Sequence, residues 1–269
     1  MPKMLDSMLL LSFIGHVTGD YYLQSDKVAY NKNERFSKLL YHIIIYTIPF
    51  ILLFLIFGRT NRLGLYLLLI CAAHFAIDLV KFIVYKSGLM KSFSKKYRMK
   101  ELIIYVVDQS LHIFSILFIS IYFKSSSSLI QIAPEIKNFL KAINLELILT
   151  LKWILLILCI YKPTNITFMK AFSNYKPETK EDSSNIVPAR NTAINKKAGS
   201  IIGLLERMLI IIFINIQQYS AIGLILTAKS IARYDSISKS QDFAEYYLIG
   251  TLTSLLSAIL FYIAIFGKL

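Results

Sequence analysis

Cysteine is almost absent: the chain has two, Cys71 and Cys159, each inside an apolar run. This excludes a Cys-x-x-Cys motif and a disulfide framework, and leaves both as small buried hydrophobes. Histidine is nearly as scarce, with four in 269 residues, and none opens a His-Glu-x-x-His stretch, so the helical zinc-protease signature is missing. Acidic residues are few against basic ones, 16 to 30, for a formal charge of +14. Such an excess suggests nucleic acid, but the Lys and Arg residues lie mostly between hydrophobic runs, the placement of loops facing anionic lipid; no direct nucleic-acid binding is expected. The N-terminal stretch lacks a strongly basic leader and a clear small-residue cleavage site, so its apolar run is read as a retained membrane helix.

Hydrophobic residues make up 56% of the chain, and the mean hydropathy is +0.57. Apolar runs long enough to cross a bilayer recur, which implies an all-α, polytopic membrane helix bundle. Spans are expected at about 4–22, 39–57, 63–84, 102–123, 144–161, 200–217, 219–233 and 245–267. The pair 200–217 and 219–233 leaves the count at seven or eight, because its second member is short and holds Lys229. The segments divide into a four-helix bundle at 1–123, an outer amphipathic segment and fifth helix at 124–161, a polar loop at 162–198, and C-terminal helices at 199–269.

Charge sets the expected orientation. The connections 23–38 (Lys27, Lys32, Arg35, Lys38), 81–100 (Lys81 to Lys100) and 162–198 are basic, whereas the alternate ones hold only Arg59 and Arg62, or Lys124, Lys137 and Lys141. The positive-inside rule places the basic loops in the cytoplasm and the N-terminus outside, in a multi-pass protein of the cytoplasmic membrane.

Three of the four histidines have an aspartate four residues away, within apolar runs: His16 and Asp20, His74 and Asp78, Asp108 and His112; the fourth is His42. Residues four apart share a helix face, and three such coincidences among four histidines arise by chance roughly once in a thousand. With the orientation above, all seven fall at one depth, toward the cytoplasmic end of the first four helices. Helices one and three each carry His-x-x-x-Asp and helices two and four each return a histidine, a pattern like a repeated hairpin.

Imidazole with carboxylate suits a divalent metal, Zn²⁺ first, with Mn²⁺ or Fe²⁺ as alternatives. Seven donors exceed the need of one tetrahedral ion, so two ions are a natural reading. A metal pair there would polarise a phosphate oxygen and lower the pKa of bound water to about 7, with Asp20, Asp78 and Asp108 as candidate catalytic ligands. Gln24 and Gln109, beside the same faces, would orient ligands or contact substrate. The alternatives are hydrogen bonding across a bundle, and a metal or proton relay in a transporter. A further set, Glu206, Arg207, Lys229, Arg233 and Glu245, reads either as a site for a phosphate or anionic lipid headgroup or as an ion-pair network. Gly199 and Gly203, with Gly223 and Gly250 behind them, read as helix-packing positions.

The motifs His16-x-x-x-Asp20-Tyr-x-x-Gln24, His42, His74-x-x-x-Asp78 and Asp108-Gln109-x-x-His112 resemble an uncharacterised bacterial family of integral membrane proteins, a domain of unknown function, over residues 8–122. The stretches around Gly199 to Arg207, Ala228 to Arg233 and Glu245 to Thr251 are similar to an extension in its longer members. A more distant likeness is to proposed inner-membrane metal-dependent hydrolases. The resemblance implies a metal-dependent hydrolase at the cytoplasmic membrane face, acting on a phosphoester or lipid-linked substrate. Two other functions remain open: a transporter or ion conductor using the same residues, and a non-catalytic sensor whose basic loops engage a cytosolic protein. Beyond the bilayer and its anionic headgroups, a second copy of the chain is a compatible partner.

Overall fold

The computed structural model describes residues 7–58, 60–88, 100–123, 134–172, 175 and 189–267. They are predominantly helical, with no strand among the described residues. The elements are α1 (Ser7–Val17), continued by one wider π turn (Thr18–Tyr22), α2 (Asp26–Asn31), α3 (Phe36–Phe57), α4 (Asn61–Lys86), α5 (Lys100–Phe123), α6 (Pro134–Ala142) and α7 (Leu147–Ile160). There follow α8 (Lys162–Phe172), α9 (Ala189–Asn215), α10 (Tyr219–Ala232), α11 (Tyr234–Lys239) and α12 (Gln241–Phe266). Five stretches are long and apolar enough to cross a membrane: Phe36–Phe57, Asn61–Lys86, Leu102–Phe123, Leu147–Phe172 and Gln241–Phe266; Tyr219–Ala232 is a shorter apolar helix. The architecture is compatible with a multi-pass membrane protein.

Chain contacts divide the protein into two compact units, meeting in sequence at Leu158 and Cys159. In the first, α1 packs on α3 and α5, α3 on α4, and α4 on α5, which closes a ring of four helices. Large apolar side chains such as Ile44, Leu68, Phe114 and Phe118 point out of the ring, while His42, His74, Asp78 and His112 are buried inside it. A polar interior within an apolar exterior is the expected arrangement for a bundle solvated by lipid, where ionisable groups turn toward the bundle interior.

Two glycines let α1 approach α3. A Cβ on Gly15 would lie 2.9 Å from the Phe50 ring, and one on Gly19 would lie 2.7 Å from the Tyr46 ring and 3.2 Å from its carbonyl oxygen. Gly15-x-x-x-Gly19 therefore forms a small-residue crossing against α3. The close-packing role expected for Gly199, Gly203 and Gly223 fails: a Cβ at Gly199 or Gly223 meets nothing within 4 Å, and at Gly203 the nearest atom is Arg207 Nη1, one turn along the same helix, at 3.3 Å. Gly250 does meet a neighbour, the Phe168 ring at 3.4 Å.

The residues expected to form a polar loop at 162–198 begin as helix α8 and end within α9. Ser125 to Ser128 and six basic residues of the connections 81–100 and 162–198, namely Lys91, Lys95, Lys96, Arg98, Lys176 and Lys180, lie outside the described residues. Cys71 and Cys159 are free and buried.

Candidate metal centre

Four helices and one connection supply the site. α1 and its π turn present His16 and Asp20; the wider winding of a π turn, common at functional positions, sets Asp20 on the His16 face. α3 presents His42 and, one turn on, Tyr46; α4 presents His74, Asp78 and Lys81; α5 presents Asp108, Gln109 and His112. All seven residues of the His/Asp set come together in one buried cluster.

Lys32 is the residue that sequence reasoning missed. Counted as a cytoplasmic loop charge, it instead turns back from the end of α2 into the bundle and is only 6% exposed. Its Nζ donates to Asp78 Oδ2 at 3.0 Å and lies 3.2 Å from His42 Nε2 and 3.6 Å from Asp20 Oδ1. Burial opposes its charge, but the carboxylates of Asp20, Asp78 and Asp108 outweigh that cost and hold the ammonium pKa above the ordinary lysine value. Lys81, also counted as a loop charge, sits on α4 and pairs with Asp108 Oδ2 at 2.8 Å.

Around this core each ring is fixed by neighbours. His16 Nδ1 lies 3.1 Å from the Tyr46 hydroxyl and its Nε2 lies 3.4 Å from Gln109 Oε1. The His74 ring is stacked between Tyr46, with centroids 3.5 Å apart, and His112, at 4.2 Å. His42 Nε2 faces His74 Nε2 at 3.2 Å, so one of the two rings donates to the other. Gln109 Nε2 donates to Asp20 Oδ2 at 2.9 Å. Gln24, with its amide nitrogen turned to Asp20, donates to Oδ1 at 3.0 Å and accepts from the Ala29 amide at 3.2 Å. Both glutamines thus orient Asp20.

Two triads have donor atoms within 4.8 Å of one another: Asp20, His42 and His74, and His74, Asp78 and His112. Lys32 occupies the first. At the second, His112 Nε2, Asp78 Oδ1 and Asp108 Oδ1 are buried without a hydrogen-bond partner. The nitrogen lies 3.9 Å from the Asp78 oxygen and 3.8 Å from the Asp108 oxygen. These gaps are too long for hydrogen bonds, yet close to the spacing of about 3.4 Å between two ligands of one tetrahedral ion.

Residues 8–140 match the model of a family described as a protein of unknown function (DUF3307). The chain carries a domain of this family. No curated protein and no solved structure matches it. The DUF3307 domain contains the whole cluster, Lys32 and Lys81 included, whereas the second polar set lies beyond it in sequence.

Toward the other end of the DUF3307 domain the next inward residues are Ile70 on α4 and Ile116 on α5, each 1% exposed. Past them a hydroxyl layer joins three helices: Ser12 Oγ lies 2.6 Å from the Tyr66 hydroxyl, which lies 2.8 Å from Ser120 Oγ. Sequence reading did not register this layer, because serines and tyrosines in apolar runs carry no distinctive spacing.

Of the second polar set, Arg207 is buried, Glu206 pairs with Lys229 at 2.7 Å, and Arg233 lines a cavity together with these three. Glu245 does not join them: it is exposed and accepts a hydrogen bond from Gln241 Nε2 at 3.0 Å, one turn away on α12.

Proposed function

We propose that the four-helix bundle is a membrane-embedded, metal-dependent hydrolase acting at the cytoplasmic face on a phosphoester, in a lipid or a lipid-linked molecule. One divalent ion, Zn²⁺ first, is held by His112, Asp78 and Asp108, with His74 completing the set. The observation that carries this reading is the meeting of three unpartnered buried donor atoms on that side of the cluster. Leaving such atoms unpaired is costly, and a shared cation satisfies all three at once.

Formal charge supports it. Three aspartates face two lysines, so with neutral imidazoles the cluster retains a net negative charge that a cation balances. Lys32 fills the position that a second ion would take, which favours one ion over two. A bound ion would polarise a phosphoryl oxygen and activate water. Lys81, the least covered charged group of the site with a side chain 16% exposed, stands where an anionic substrate would approach. The apolar, buried Ile70 and Ile116 one turn beyond His74 and His112 support a site entered from one face over a transport path. In this reading the membrane spans are the five long helices together with residues 7–22, α9 and α10, with the N-terminus outside.

The test is elemental analysis of the detergent-purified protein by mass spectrometry, wild type against His112→Ala and Asp108→Ala, followed by phosphate release from phosphoester lipids without a gradient. Stoichiometric zinc, manganese or iron that is lost in both variants is the expected result. A folded wild type that takes up no metal when metal is supplied would overturn the reading.

A further inference from the structure

We propose that the second unit holds a separate site for the phosphate of an acidic phospholipid, with Arg207 at its floor. A cavity of about 490 Å³ opens among α8, α9, α10 and α12. One end is cationic, with Arg207, Lys229 and Arg233 against the single carboxylate of Glu206. Phe168, Phe243 and Tyr246 continue the wall as an apolar surface.

Arg207 is 4% exposed, and its fork is held open by neutral partners: Nη2 donates to Asn165 Oδ1 at 2.7 Å and Nη1 to Ser254 Oγ at 3.3 Å. Asn165 is itself fixed, donating to Ser200 Oγ at 2.7 Å. Among the described residues no carboxylate lies within ion-pair distance of Arg207, because the neighbouring Glu206 is taken by Lys229. A buried cation without a counter-charge is expensive, so an anion is needed from outside the chain.

The unpartnered atoms around the cavity agree on the sign. Arg207 Nε, Thr251 Oγ1 and Tyr247 Oη are buried without a hydrogen-bond partner, and all three can donate. Three unpartnered donors on residues that line the cavity, beside an excess of positive charge, suit the acceptor oxygens of a phosphate. The cavity is far larger than a phosphate ion and mostly apolar-walled, which selects a phosphate carried on a lipid over a free one.

The experiment uses the full chain in neutral maltoside micelles, titrated with short-chain phosphatidylglycerol, chain-matched phosphatidylcholine and inorganic phosphate, with bound species counted by native mass spectrometry. Phosphatidylglycerol should bind at least about tenfold tighter than phosphatidylcholine. Arg207→Lys, which keeps the charge but loses the planar fork, should weaken it about tenfold. Thr251→Val and Arg233→Gln, which leave the Asn165 and Ser254 bonds in place, should each weaken it several-fold and guard against a misfolded Arg207 variant. Equal affinity for the two lipids, or affinity unchanged in all three variants, overturns the site and leaves the cluster as an internal network. Inorganic phosphate binding as tightly as phosphatidylglycerol overturns the lipid assignment in favour of a soluble phosphate compound.

Discussion

Replacing Lys32 by Met separates its two roles, as counter-ion and as occupant of the first triad. The change removes an ammonium 3.0 Å from Asp78 and 3.6 Å from Asp20, whose side chains are 1% and 6% exposed, so water screens little of the loss. Breaking a buried pair in this way costs about 3–5 kcal/mol. The vacated space is bounded by Asp20, His42 and His74, a triad with metal-ligand spacing. A divalent ion that enters it stabilises the folded state by mass action, about 4 kcal/mol at a thousandfold excess over its Kd. Lys32→Met should therefore unfold several kcal/mol more easily than wild type in chelator, and recover most of the deficit as zinc or manganese is added. Thermal unfolding in maltoside followed by circular dichroism measures both arms, and elemental analysis should show the metal content rising from one ion toward two. A variant as stable as wild type in chelator would refute the counter-ion role; a deficit that metal leaves untouched would refute the shared-site argument.

Gly19→Ala should cost about 1–3 kcal/mol, because its Cβ meets both the Tyr46 ring and that residue's backbone, and backbone cannot move aside; metal content should fall with it, since Tyr46 stacks on His74. Gly199→Ala, with nothing within 4 Å, should be neutral or stabilising by up to about 1 kcal/mol; equal effects of the two substitutions in the same unfolding assay would disprove the crossing. Wild-type protein in liposomes loaded with zinc- or proton-sensitive dye should dissipate neither gradient, since buried Ile70 and Ile116 interrupt the polar side chains along α4 and α5; a flux that disappears in Asp78→Asn would favour transport over hydrolysis.

Six residues of the His/Asp set were legible because a residue and its partner one helical turn away must share a face, and the structure gathers them together with His42, the histidine that has no such partner. Lys32 and Lys81 were illegible for the opposite reason. A lysine just past an apolar run obeys the positive-inside rule whether its long stem points to water or folds back to a carboxylate, so position alone cannot separate the two. The glycine pattern misled in a similar way: small residues four apart mark a crossing only where a second helix faces them, which Gly15 and Gly19 have in α3 and Gly199 and Gly203 lack. Glu245 falls outside the second polar set and pairs with Gln241 on its own helix, because position along an apolar run says nothing about how one helix is rotated relative to another.

The pairing of Asp20 with Lys32 also bears on how the chain is made. A carboxylate entering the bilayer on a nascent helix is costly until a partner arrives, and the residues that later surround Asp20 on α4 and α5 are synthesised last. Lys32 follows Asp20 by only twelve residues, within the turn of the first helical hairpin, and reaches its Oδ1 at 3.6 Å. In the second hairpin Lys81 stands three residues after Asp78 and meets Asp108 across the turn at 2.8 Å. Each hairpin thus carries one lysine that meets one of its own carboxylates, Asp20 in the first and Asp108 in the second, while Asp78 has to wait for Lys32 from the other hairpin, so the two hairpins complete each other's charge balance only when they join.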